Sequence, residues 1–157
     1  MKRGPRKLII FTDGGARGNP GPAGIGVTIS DEHGTVLTEF GEAIGETTNN
    51  VAEYTALLRA LKAAADYDVD SVEFFLDSEL VVKQLNGEYK VKNAGLKGLH
   101  AAARERFSKY REVRIRHIPR AKNKVADRLA NEAMDRVADG EKEPLDDSVL
   151  PGQGSLF

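Results

Sequence analysis

The spacing of hydrophobic positions changes its period along the chain, and each change marks an element. Residues 7–13 (Lys-Leu-Ile-Ile-Phe-Thr-Asp) are a short apolar run that reads as a buried strand. A glycine- and proline-rich stretch, Gly14 to Pro22, follows as a tight turn. Residues 23–30 predict a second strand, Asp31-Glu32-His33-Gly34 a hairpin turn, and residues 35–44 a third strand. These three would form an antiparallel meander. Over 48–66 the period becomes helical, with Tyr54, Leu57, Leu58, Leu61, Ala64 and Ala65 on one face and Thr48 or Asn49 placed to cap it. Residues 71–77 predict a fourth strand, and Ser78 caps a short helix that ends at Asn86-Gly87. A basic connector, residues 88–93, leads to a helix over 95–110. Residues 112–118 alternate as a fifth strand that Pro119 breaks. A last helix spans 122–138 with Val125, Leu129, Ala133 and Val137 facing inward.

The order βββαβααβα, a meander followed by α/β crossovers, predicts an α/β fold: a five-stranded mixed sheet with helices on both faces. The first and fourth strands are the most apolar and should be central neighbours. Their carboxyl ends carry Asp13 and Asp77, at the edge where open α/β sheets bind ligands. Beyond Asp139 the periodicity stops and the composition becomes acidic with Pro and Gly. The chain therefore divides into a domain over 1–138 and an acidic tail over 139–157, expected to be flexible.

A length of 157 residues suits one domain with a sizeable core, and 40% hydrophobic with 30% charged residues suits a globular, soluble one. No apolar run approaches the roughly 18–20 residues of a membrane span. The basic start, Met1 to Lys7, leads into a strand instead of a signal-peptide core. The chain has no cysteine, which excludes disulfides, thiolate metal sites and cysteine nucleophiles and fits a cytoplasmic location. A monomer is expected. The net charge of −1 hides an asymmetry, because residues 139–157 carry five acids against one lysine. From Arg104 to Arg128 there are ten Lys or Arg and three acids, a phosphate-facing surface or a solvated helix face and strand edge.

Four acids change the picture further. Asp13 and Asp77 end apolar runs, and Glu53 and Asp127 lie in the first turns of helices. Carboxylates gathered at strand ends suit a hard divalent cation, which takes oxygen ligands and phosphate co-ligands. That points to phosphoryl-transfer chemistry on a polyanion. Each acid also has a local reading: an Asx turn at Asp13, a helix cap at Asp77, a capping-box acid reaching back to Asn50 at Glu53, and a helix-dipole partner at Asp127.

Taken together, Phe11-Thr12-Asp13-Gly14-Gly15 with Gly18-Asn19-Pro20-Gly21, Thr47-Thr48-Asn49-Asn50 with Glu53, Asp77-Ser78, and His117 ten residues before Asp127 resemble ribonuclease H type 1. The resemblance covers residues 7–137, to a form without the basic handle insertion. It implies an endonuclease that hydrolyses the RNA strand of RNA–DNA hybrids with two Mg²⁺ ions, or Mn²⁺, leaving 5′-phosphate and 3′-hydroxyl ends. It implies Asp13, Glu53, Asp77 and Asp127 as metal ligands, and His117 as an aid to proton transfer and product release. His117 also fits a half-buried strand position. Asn19, Asn49 and Asn50 resemble the family's minor-groove readers, whose amides meet 2′-hydroxyls and base edges. Gly14, Ala16, Thr48 and Asn123 complete the substrate-binding set that the resemblance implies. Lys90 and Lys92 offer a smaller phosphate contact in place of the handle. Two positions depart from the family pattern: Glu79 stands in place of Gln after Asp-Ser, and Glu46 in place of Arg in the DNA-phosphate pocket.

The last five residues, Gln153-Gly154-Ser155-Leu156-Phe157, resemble a bacterial sliding-clamp-binding peptide. Leu156 and Phe157 would enter an apolar pocket and Gln153 would supply hydrogen bonds. The same apolar pair could instead pack on its own domain. Two other functions stand beside the nuclease: a non-catalytic nucleic-acid-binding module of the same fold, and another nuclease or phosphotransferase on it. The Gly14–Gly21 stretch is not a Walker loop, because no Gly-Lys-Ser/Thr follows.

Overall fold

The computed structural model describes residues 4–138; Gln153, Leu156, Phe157 and the rest of the tail lie outside the described residues. Strand β1 (Lys7–Ala16) alternates fully buried Leu8 and Ile10 with half-buried Ile9 and Phe11, as a strand covered more heavily on one face must. It lies at the centre of a five-stranded sheet of order β3-β2-β1-β4-β5. Strands β2 (Gly21–Asp31) and β3 (Val36–Thr47) continue from it antiparallel, as the expected meander. Strands β4 (Ser71–Leu76) and β5 (Glu112–His117) add on its other side in parallel. The mixed sheet and the adjacency of the first and fourth strands agree with the sequence reading.

The β1–β2 turn is shorter than the glycines suggested. Gly14, Gly15 and Ala16 remain in β1 and pair with Ile25, Gly24 and Ala23, so the turn contracts to residues 17–20. Within it the Asn19–Pro20 peptide bond is cis.

Helices α1 (Asn49–Ala64), α2 (Glu79–Leu85) and α3 (Ala94–Phe107) form the main core with Leu8, Ile10, Val72, Phe74, Leu76 and Ile115. Ala65 is not on that buried face; it is the exposed C-cap residue of α1. Helix α4 (Lys124–Ala138) packs on the opposite face, against β2 and β3. It begins two residues later than expected, because residues 120–122 form a separate 3₁₀ turn. Its inward face also differs. Val125 is 43% exposed and Leu129 and Val137 are half-buried, whereas Ala133 is buried as expected, together with Ala126, Ala130 and Met134. The reason lies in β2: a Cβ on Gly26 would stand 2.0 Å from the carbonyl oxygen of Ala126. The helix backbone rests directly on the sheet, and this near approach leaves room for alanine at the contact.

Candidate active site

The parallel register pairs Thr12 with Leu76, so the residues that follow, Asp13 within β1 and Asp77 just past the end of β4, emerge at one edge of the sheet. Glu53 reaches the same place from the second turn of α1. Thr48 starts that helix by accepting a hydrogen bond from the Val51 N–H. The helix can lie this close because Gly14 has no side chain: a Cβ there would be 2.3 Å from the Ala52 carbonyl oxygen. The Gly14 N–H donates to Glu53 Oε1 at 2.6 Å, so Glu53 faces β1 and is not a capping-box acid. Ser78, not Asp77, caps α2 by accepting from the Val81 N–H. One oxygen from each of Asp13, Glu53 and Asp77 lies within 4.8 Å of the other two.

Electrostatics make this cluster costly as bare anions. Glu53 is 6% exposed and Asp13 8%. Burial, then the charges of Asp13 and Asp77, hold the Glu53 carboxyl well above its usual range, against the opposing Gly14 hydrogen bond. Burial, then the charge of Asp77, then a hydrogen bond with Asp127, push Asp13 up to about 8. Three hard oxygen donors, with the ionisation of Asp13 and Glu53 suppressed, fit a divalent cation, which would restore the charged forms of those two.

Asp127, in the first turn of α4, adjoins Asp13 but lies outside the three-carboxylate group. Its Oδ1 accepts from Arg120 Nη2 at 2.9 Å and from Asn131 Nδ2 at 3.2 Å. Arg120 and Asn131 were absent from the sequence-derived set. Asn131 sits one helical turn after Asp127, a spacing that could have signalled it. Arg120 reaches Asp127 across a 3₁₀ turn, which periodicity does not reveal.

The expected substrate residues divide by position. Asn19 Oδ1 accepts from the Asn49 N–H at 2.8 Å, and Asn49 Oδ1 accepts from the Ala16 N–H at 2.7 Å. The β1–β2 turn is thereby tied to the start of α1, with Asn50 half-buried alongside. Asn123, expected at the substrate surface, is 1% exposed. Its Nδ2 donates to the Thr12 carbonyl at 2.9 Å and lies 3.4 Å from Asp77 Oδ2, so it supports the carboxylates from beneath. His117 is exposed at the end of β5, in register with Leu76. Lys90 and Lys92 are exposed, and Lys90 shares an open hollow with Tyr89, Lys97, His100 and Arg104. Glu46 and Glu79 are both exposed.

A mixed sheet of this strand order, with carboxylates from two strands and a helix converging at one edge, defines the ribonuclease H-like class. A family model described as reverse transcriptase-like matches residues 11–133. The chain is 46% identical over 133 residues to a bifunctional protein of Mycobacterium tuberculosis, covering 84% of this chain and 36% of that protein. It is 46% identical over 133 residues to a ribonuclease HI of Halobacterium salinarum, covering 85% of this chain and 66% of that one. LC11-RNase H1, solved in complex with an RNA/DNA hybrid, matches with a TM-score of 0.79 and 50% identity over 83% of this chain and 99% of its own. The chain belongs to the ribonuclease HI family. It spans about a third of the mycobacterial relative's length and just under two thirds of the halobacterial one's.

Proposed function

We propose that this chain is an endoribonuclease that hydrolyses the RNA strand of RNA–DNA hybrids. Two Mg²⁺ ions, with Mn²⁺ as an alternative, would be held by Asp13, Glu53, Asp77 and Asp127. The observation that carries this reading is the convergence of Asp13, Glu53 and Asp77 within 4.8 Å, with Asp13 and Glu53 buried and Asp77 half-buried. Carboxylates that close, two of them largely withdrawn from water, favour a cation among them. Kinship with a ribonuclease HI and with a ribonuclease H1 solved on an RNA/DNA hybrid supports the choice of substrate.

Such ions supply an activated water and take up charge on the leaving 3′ oxygen. Water gives its hydroxyl to phosphorus, the bond from phosphorus to the 3′ oxygen breaks, and that oxygen takes a proton. The products are a 5′-phosphate and a 3′-hydroxyl. His117, exposed at the same sheet edge, carries protons to or from the departing group. Asn19, Asn49 and Asn50, with Gly14, Ala16 and Thr48, form the wall that meets the minor groove, where 2′-hydroxyls distinguish RNA from DNA. Lys90 and Lys92 contact backbone phosphates further along. Asn123 orients Asp77 for this work.

The protein acts as a cytoplasmic monomer, and Gln153, Leu156 and Phe157 engage a replicative sliding clamp. The Gln-x-Ser-Leu-Phe pattern after an acidic stretch supports the clamp contact. Clamp pull-down should retain the full chain and lose a chain ending at Gly152; equal retention would refute the contact.

The nuclease reading is tested by a Mg²⁺ assay on matched RNA–DNA, RNA–RNA and DNA–DNA duplexes, with Asp13→Asn as control. Cleavage should be confined to the RNA strand of the hybrid and vanish in the variant. Cutting of DNA–DNA, or activity that survives Asp13→Asn, would overturn it.

A further inference from the structure

The four carboxylates are not equivalent before any cation arrives. Asp13, Glu53 and Asp77 face one another. Asp127 instead has a protein cation, the Arg120 guanidinium at 2.9 Å. The Arg120 side chain is 74% exposed and sits on the 3₁₀ turn, so it can swing away without unpacking the core. Asn131 Nδ2 holds Asp127 from its own helix and would keep that carboxylate near Asp13 after Arg120 left.

We infer that Arg120 is a positioning residue that occupies the cation place of Asp127 in the metal-free protein and must vacate it before Asp13 and Asp127 can share a divalent ion. The inference rests on the proposed two-ion reading and adds an order to it. Asp13, Glu53 and Asp77 take up the first ion without displacing an ion-paired side chain. Asp127 joins a second site only in competition with its own arginine. The second site is therefore the weaker one, and its weakness comes from Arg120.

The test is a Mn²⁺ titration of the metal-free full chain without nucleic acid, followed by calorimetry and by the electron paramagnetic resonance signal of free Mn²⁺. Wild type should show one tighter and one weaker site. An exposed ion pair contributes little, so Arg120→Ala should tighten the weaker site by about fivefold and leave the tighter one unchanged. Arg120→Lys, which keeps the charge, should stay nearer wild type. Asp127→Asn should abolish the weaker site alone. Unchanged or weakened binding at the second site in Arg120→Ala would overturn the inference, as would a single site in wild type. Asp13→Asn separates the two levels: loss of both sites with no effect of Arg120→Ala defeats only the loading order. Wild-type Mn²⁺ binding in Asp13→Asn defeats the metal-centre reading itself.

Discussion

The backbone N–H of Gly14 donates to Glu53 Oε1 at 2.6 Å, joining the central strand to the first helix at the carboxylate cluster. The contact depends on a missing side chain, since a Cβ on Gly14 would stand 2.3 Å from the Ala52 carbonyl. Gly14→Ala should push α1 away from β1 and destabilise the protein by about 1–3 kcal/mol, as overpacking does. It should also weaken Mn²⁺ binding, because Glu53 moves with the helix. Gly98, inside α3 with nothing within 4 Å of its would-be Cβ, is the contrasting position. Gly98→Ala should stabilise by about 0.5–1 kcal/mol through helix propensity. Urea unfolding of both variants checks the pair, and similar signs would contradict the packing account.

Raised carboxyl pKa values set a pH dependence for the metal-free protein. Asp13, moved from 3.8 to about 8, and Glu53, raised from 4.5, retain protons in the folded state that the unfolded chain releases. Their stabilising contribution is fully present below the unfolded values and is lost as pH rises through the folded ones. In a chelator, the urea midpoint should therefore fall between about pH 5 and pH 8. Asp13→Asn should flatten that fall and be the more stable protein at the upper end. A midpoint that rises with pH in wild type would show that the cluster does not hold its protons.

Asn123 acts on the site from beneath, through the Thr12 carbonyl and the Asp77 carboxylate. Asn123→Ala leaves the buried Thr12 carbonyl without that donor, which costs about 1–3 kcal/mol of stability. Hybrid cleavage should show kcat reduced by about tenfold or more with KM little changed, the pattern of a lost orienting contact. A large rise in KM with normal kcat would place Asn123 at the substrate instead.

Asn49 holds the β1–β2 turn by accepting from Ala16, while its own N–H meets Asn19. Asn49→Ala removes the first of these exposed bonds and should lower stability by only about 0.5–1.5 kcal/mol. The turn that presents Asn19 would loosen, so KM for the hybrid should rise more than kcat falls. Steady-state kinetics on the hybrid decides this, and equal loss in kcat and kcat/KM would count against a binding role.

The sequence by itself determined the order of elements and the edge at which the chemistry sits. Periods of two and of 3.6 are local properties, so five strands and the helices between them could be read directly. Asp13 and Asp77 were legible as neighbours because each ends an apolar run, and two such strands at the centre of a mixed sheet lie side by side. Glu53 was legible from its place early in a capped helix. The tertiary structure decided what depends on distances between remote residues. The inward face of α4 follows from Gly26 on another element, so Val125 turns out and Ala126 turns in. Asn123 lies 111 residues from the Thr12 carbonyl it supports, and Arg120 meets Asp127 only through the path of a 3₁₀ turn. Local pattern carries the periodicity of a chain. The backbone separation between packed layers, and with it the choice of which polar groups meet, is set only when the layers close.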